Sequence, residues 1–306
     1  MKNEPIPANE LQGCYPAVIT PFNSNGDVDY EKLEMLIDDL CNTNISGILA
    51  CGTTGQDCTL SHNEQVDLAE HFFNYVDRRK PLMVGAGSNN TSEASELSRN
   101  IEERIGPTTL LHATGYKNNP TQKGIYKHFS QVTENLNGSN LILYTVPGRT
   151  GSNIETETSI QLAQNPSIIG IKDASGNLEQ VESVINRTNP ENFRVLSGED
   201  HLVGKIMQRG GYGVISASAN VAPEYFSRMC GEALQGNYQD AHEMQEYIMP
   251  IVKAVFSKKN PIPLAHMFGT ELRLPLCRHE ELQDYVDAAV NSYTKEELGI
   301  DMAKYK

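Results

Sequence analysis

The sequence predicts a (β/α)8 TIM barrel with a C-terminal helical extension. Three observations predict it. Short runs rich in Ile, Leu and Val recur eight times with turn signals after them. Most show little strict alternation, as suits parallel strands buried on both faces. Segments of helical period lie between them, at a strand-to-strand spacing of about thirty residues, the size of one βα unit. Eight such units in a row close into a barrel with helices outside.

The runs, in order, are 16–22, 46–50, 81–86, 108–113, 140–146, 167–172, 193–197 and 213–218. Leu33, Leu36, Ile37 and Leu40 share one helical face, as do Val66, Ala69, Phe73 and Val76. Ser61 and Glu64 have capping-box spacing at the start of the second helix. The eighth helix is expected over 223–234. The barrel domain is therefore read as 1–235, with 1–13 an N-terminal tail, and the helical extension as 236–306. That extension breaks at Asn260-Pro261-Ile262-Pro263 and at Pro275. A doubly wound open sheet is the rival fold, and it would need a phosphate loop or a switch point. The nearest motif, Gly85-Ala86-Gly87-Ser88-Asn89-Asn90, lacks the third glycine and reads as a plain turn.

Composition narrows the partners. The 25 basic residues face 39 acidic ones, a formal charge of -14. Such a chain has no general attraction to nucleic acid or to an anionic membrane. Any anionic substrate must be held by a local cluster of donors. The first ten residues lack the apolar core of a signal peptide, and no run approaches the roughly 18 apolar residues of a membrane span. The six cysteines form no CxxC pair. A cytoplasmic protein with reduced thiols is the expectation. The histidines form no HxH or HExxH set, so no metal site is expected. Glu199-Asp200-His201 has chelating types, but an acid-rich helix start explains it equally well. Cys51 and Cys58 are read as packing residues.

In a barrel the chemistry sits at the C-terminal ends of the strands. Lys172 ends the sixth run, and alternation puts Ile168, Gly170 and Lys172 on one face. If that face is interior, the amine loses solvent, its pKa falls, and the neutral form can attack a carbonyl to give a Schiff base. Gly170 would leave room beneath it. The alternative is a strand-edge lysine reaching for water. Tyr144 shares a face with Ile142 on the preceding run and can sit beside Lys172 to move protons, or it is a rim tyrosine. Gly52-Thr53-Thr54-Gly55 can hold a carboxylate through N–H and hydroxyl groups, or it is a glycine turn. Arg149, in the loop after Tyr144, can grip a carboxylate bidentately, or it makes a surface ion pair.

With these residues in hand, the chain resembles the dihydrodipicolinate synthase and N-acetylneuraminate lyase family of pyruvate-dependent class I aldolases. The resemblance spans about Tyr15 to Leu276. It is dense at GTTGQDCTL (52–60), LYTVPGRTG (143–151), IIGIKDASGNL (168–178), LSGED (196–200) and GGYGVISASANVAP (210–223). It implies a Schiff base between Lys172 and pyruvate, no metal or organic cofactor, and a homotetramer built as a dimer of dimers. It assigns proton transfer to Tyr144, the pyruvate carboxylate to Thr54, the proton relay to Thr53 and Tyr116, and the lining of the pyruvate site to Ile215 and Gly198. Arg149 in Tyr-x-Val-Pro-x-Arg-Thr-Gly looks like the synthase branch, in which the Arg receives the carboxylate of L-aspartate 4-semialdehyde. The implied reaction condenses pyruvate with that aldehyde, opening lysine and diaminopimelate biosynthesis.

The chain departs from the family pattern in places. Gln56 stands where an acid is usual. Lys117, counted back from Pro120, takes the relay tyrosine's place unless a one-residue shift lets Tyr116 serve. His62, Asn89, Glu93 and Tyr116 match an allosteric lysine site, whereas Asp57, Cys58 and Gln65 do not. Weak or absent lysine inhibition is the expectation. Two other readings stand beside the synthase. One is an aldolase for 2-keto-3-deoxy sugar acids or 4-hydroxy-2-oxoglutarate. The other is a non-catalytic ligand-binding relative.

Overall fold

The structure, a computed structural model, describes residues 4–305. Among them eight strands form one sheet: β1 (Gly13–Pro16), β2 (Ile48–Ala50), β3 (Leu82–Gly85), β4 (Thr109–Ala113), β5 (Asn140–Thr145), β6 (Ile168–Asp173), β7 (Arg194–Ser197) and β8 (Gly213–Ser216). Their order is β1-β8-β7-β6-β5-β4-β3-β2, and neighbours pair in parallel. A parallel bridge from Ala17 to Leu49 joins the two ends and closes the barrel. The outer helices are α1 (Tyr30–Cys41), α2 (His62–Val76), α3 (Thr91–Ile105), α4 (Gln122–Glu134), α5 (Thr156–Leu162), α6 (Leu178–Arg187), α7 (Val203–Gln208) and α8 (Pro223–Leu234). The (β/α)8 expectation holds.

Helix packing follows the sequence pattern. Leu33, Leu36, Ile37 and Leu40 are buried on α1. On α2 the Ser61–Glu64 capping box forms, but Phe72 is the fully buried aromatic and Phe73 only packs against the core. The strand runs fall on strands except the first. β1 stops at Pro16, and 17–22 is a buried irregular segment. Side chains satisfy its backbone: Ile19 N–H donates to Asn220 Oδ1 at 3.0 Å and Phe22 N–H to Thr270 Oγ1 at 2.8 Å. Burial made that run look like a strand, although two prolines bound it.

The barrel interior is filled by Tyr15, Leu49, Met83, Leu111, Ile142, Ile169, Leu196 and Ile215, one from each strand. The pairing of β5 with β6 slips between Leu141 and Ile142, which face Ile168 and Gly170. This bulge corrects simple alternation. Ile168 packs outward against the helices and Ile169 inward.

The segment expected as a tail closes the barrel's N-terminal mouth. Ile6 and Leu11 join the interior. Ile6 N–H donates to Thr109 Oγ1 at 2.8 Å, and Asn140 Nδ2 donates to the Ile6 carbonyl at 2.7 Å. A Cβ on Gly170 would strike the Arg194 carbonyl and the Leu11 side chain. The room beneath Lys172 thus belongs to Leu11. Residues beyond α8 form α9 (Tyr238–Val255), α10 (Ile262–Met267), α11 (Gln283–Val290) and α12 (Lys295–Leu298). No helix among the described residues is long and apolar enough to cross a membrane.

Candidate active site

The C-terminal ends of the strands surround a cavity of about 460 Å³. Lys172, Tyr144, Thr53, Thr54, Arg149, Tyr116, Ile215 and Gly198 all line it. Residues scattered from Thr53 to Ile215 in the sequence therefore meet in one cavity.

Lys172 pairs with Tyr144 in the β5–β6 register, and its Nζ stands 4.3 Å from the centre of the Tyr144 ring. The side chain is only 7% exposed, so the strand-edge reading fails. Burial pulls the amine down from the ordinary lysine range to about 8, and Arg149 pulls the same way, while Asp200, Glu199 and Asp57 push back. Gly198 makes the placement possible. A Cβ there would lie 2.8 Å from Ala174 Cβ and 3.1 Å from Lys172 Cγ.

The neutral form of an amine is the nucleophilic one. With a pKa of about 8, roughly one amine in ten is neutral at pH 7, against fewer than about one in a thousand for an ordinary lysine. The sign is fixed: a lowered pKa means that raising pH through 8 fills the reactive form. Imine formation with pyruvate, followed as the borohydride-trapped adduct, is expected to rise about tenfold from pH 7 to 9 and then flatten. A rate still climbing steeply to pH 10.5 would mean an unperturbed amine.

The Tyr144 phenol is buried, and burial pushes its pKa well above the ordinary value. It stays protonated at neutral pH and can donate or pass a proton. Thr54 is buried in the turn after β2, and its Oγ1 accepts from Asn260 Nδ2 at 2.9 Å. The Asn260 carbonyl in turn accepts from Arg149 Nη2 at 3.0 Å. Arg149 sits on a short helical turn, Pro147–Thr150, and makes no ion pair among the described residues. The surface ion-pair reading fails with that.

Asn260 ties the two anion-binding candidates together, and sequence reasoning missed it. Its Asn-Pro-Ile-Pro segment read only as a helix break. Asn260→Ala removes the side-chain bond to Thr54 and keeps the backbone carbonyl that accepts from Arg149. It is expected to lower kcat/KM by about tenfold, the worth of a buried polar link. Unchanged steady-state constants would show that the link does not position the site.

The mouth of the cavity holds Tyr116, His62 and Glu93. Asn89 stands behind Tyr116, donating Nδ2 to its carbonyl at 3.1 Å. Lys117 is exposed with φ of 70°, and it is Tyr116 that lines the wall. No hydrogen bond joins Thr53, Tyr144 and Tyr116 among the described residues. Gln65 turns its amide to the carbonyls of Asp57 and Leu60, at 3.2 and 3.3 Å. Gln56 lies outside the cavity wall. In a left-handed conformation, its Oε1 accepts the Arg273 N–H at 3.2 Å and fastens the 270s segment to the turn. Cys51 is a buried packing residue as expected, whereas Cys58 is exposed on the cavity wall.

Asp200 is the second residue that sequence reasoning undervalued. It is buried, its Oδ2 accepts the Ser218 N–H at 2.7 Å, and it is the strongest of the charges that favour ammonium on Lys172. Glu199 lines the cavity and faces His201 at 3.4 Å. Within the triplet Asp200 is buried alone, while Glu199 and His201 face each other. Among the described residues no three His, Cys, Asp or Glu side chains are gathered to hold a metal ion.

Comparison with known proteins agrees with this geometry. The dihydrodipicolinate synthetase family matches residues 10–281. A 4-hydroxy-tetrahydrodipicolinate synthase of Methanocaldococcus jannaschii is 43% identical over 278 residues, covering 89% of this chain and 94% of that one. The enzyme of that name from Neisseria gonorrhoeae is 41% identical over 272 residues, covering 87% and 92%. A solved monomeric dihydrodipicolinate synthase variant superimposes with a TM-score of 0.89 at 31% identity, covering 97% and 99%. The interior lysine, the fold and these matches lead to one conclusion: the chain belongs to the dihydrodipicolinate synthetase family.

Proposed function

We propose that the protein condenses pyruvate with L-aspartate 4-semialdehyde to 4-hydroxy-tetrahydrodipicolinate, the product that its relatives' names give. One observation carries the reading. A buried amine of lowered pKa lies against the Tyr144 phenol, and an unpaired guanidinium lines the same cavity. Lys172 adds to the pyruvate carbonyl, water leaves, and an imine forms. Thr54 holds the pyruvate carboxylate. Loss of a methyl proton gives an enamine, which attacks the aldehyde carbon while the aldehyde oxygen gains a proton. The substrate's amine then attacks the imine carbon and displaces Lys172, closing the ring. One water is released overall. Tyr144, with Thr53 and Tyr116 toward the mouth, moves the protons, and Arg149 orients the aldehyde by its carboxylate. Splitting the condensation through a covalent imine replaces one hard step with easier ones.

The reading includes no metal or organic cofactor, a homotetramer and a cytoplasmic setting. Its test is a coupled assay of pyruvate and the semialdehyde with a chelator present. Turnover that survives the chelator supports it. No turnover, with brisk cleavage of a 2-keto-3-deoxy acid, would transfer the site to the aldolase reading.

A further inference from the structure

Tyr144 and Lys172 line the cavity, and the next residue on each strand, Thr145 and Asp173, is turned to the outer side of the sheet. Those two are also register partners, and both are buried. Two half-buried amides, Asn153 and Gln180, bridge them from behind. Thr145 Oγ1 donates to Asn153 Oδ1 at 2.7 Å. Asn153 Nδ2 donates to Gln180 Oε1 at 2.7 Å, and Gln180 Nε2 donates to Asp173 Oδ2 at 3.1 Å. Gln180 Nε2 also lies 3.4 Å from Asn153 Oδ1. The far end is closed by Ser175, whose N–H and hydroxyl donate to Asp173 Oδ1 at 2.8 and 2.6 Å. The near end is closed by the Ile154 N–H, which donates to Thr145 Oγ1 at 3.0 Å. Asn153 lies just beyond the turn that carries Arg149, and Gln180 stands in the first turn of α6. One chain of hydrogen bonds therefore joins the end of β5, the end of β6 and the Arg149 segment.

Packing alone does not call for such a bridge. Asp173 is a buried carboxylate with no Lys, Arg or His nitrogen within 4.0 Å among the described residues. Neutral donors satisfy it instead, which is costlier than an apolar contact unless every member is bonded. Here no buried polar side-chain atom of Thr145, Asn153, Gln180 or Asp173 lacks a partner. A fully satisfied network of this kind holds one geometry. The strand pair has use for it, because the β5–β6 ladder slips between Leu141 and Ile142 before it reaches the site.

We infer that Asn153 and Gln180 are positioning residues for the imine step: their bridge fixes Tyr144 against Lys172 from behind and ties the Arg149 segment to the same frame. The inference rests on the Schiff-base part of the proposed condensation and adds the groups that set its geometry. Small displacements of a nucleophile from its proton-transfer partner cost rate steeply, so a support behind both is a means of control.

The test follows borohydride trapping of pyruvate in time. The amount trapped at completion counts folded, competent sites, and the rate per site reports their geometry. Gln180→Ala cuts the bridge at a helix position that alanine favours. It is expected to slow trapping per site about tenfold, with the pyruvate concentration for half-maximal rate within about twofold of the wild type. Gln180→Glu sets a carboxylate against Asp173 and should be slower still. Adding Asp173→Asn keeps an oxygen for Ser175 and restores a donor to that contact, so the rate should return to within about threefold of the wild type. Thr145→Val removes only a hydroxyl and should slow trapping about threefold or more. Variants that trap at the wild-type rate per site, whatever their Tm, overturn the inference. So does a Gln180→Glu, Asp173→Asn pair that regains Tm without regaining rate. If the wild type traps no pyruvate, the Schiff-base reading falls and the inference with it. If the wild type traps pyruvate but does not turn over the semialdehyde, only the choice of acceptor falls, and the trapping rates still decide the inference.

Discussion

Lys172→Ala is expected to lower kcat by at least about 10⁴-fold, because it removes the covalent step itself. No other lysine lines the cavity among the described residues, so no neighbour can substitute. The fold should survive, and the reason is electrostatic. The amine's pKa falls from 10.5 to about 8 on folding, so the native state binds its proton less well than the unfolded chain. Below pH 8 the full cost of burying the charge opposes folding, on the order of 3 kcal/mol. The cost fades as pH rises from 8 and vanishes above 10.5, where both states are neutral. Lys172→Met fills the same space without the charge. Its Tm at pH 7 should match or exceed that of the wild type, with the advantage gone near pH 10.5. A dead but stable Met variant separates chemistry from folding. A Met variant that still turns over would remove Lys172 from the mechanism.

Arg149→Ala is the second large effect, and it should divide the reaction in two. Loss of a bidentate guanidinium–carboxylate contact is expected to cut kcat/KM for the semialdehyde by about 10²- to 10³-fold. Pyruvate imine formation should change little, since Thr54 and Lys172 remain. One secondary shift follows from the geometry. Arg149 helps to lower the Lys172 pKa, so the imine pH profile should move slightly to higher pH in the variant. Arg149→Lys should recover little, because a point charge does not reproduce the planar fork. Equal losses in imine formation and in turnover would contradict the assigned role.

Much of this site was legible in the sequence because barrel topology does the assembly. Once eight βα units are recognised, whatever ends each strand must meet at one mouth, and so Tyr144 and Lys172 become neighbours without any contact being known. What stayed hidden arrives by routes that periodicity does not describe. Asn260 reaches the cavity from beyond the barrel, through a loop that reads as a break between helices. Leu11 plugs the floor from a segment too short and irregular to look like structure. Asp200 acts from a buried position beside an exposed His201, in a triplet whose letters suggest one cluster. The β6 bulge reverses the facing of Ile168, because one inserted residue shifts a period of two. Gln56, an apparent loss of charge at the site, turns out to bind backbone away from it.

The most direct test of the Schiff-base account is to incubate the intact protein with pyruvate, reduce with borohydride, digest, and locate the adduct by mass spectrometry. A reduced pyruvyl group on the peptide carrying Lys172, absent without pyruvate and absent in Lys172→Met, is the predicted result. No added mass, or mass on another lysine, would contradict it.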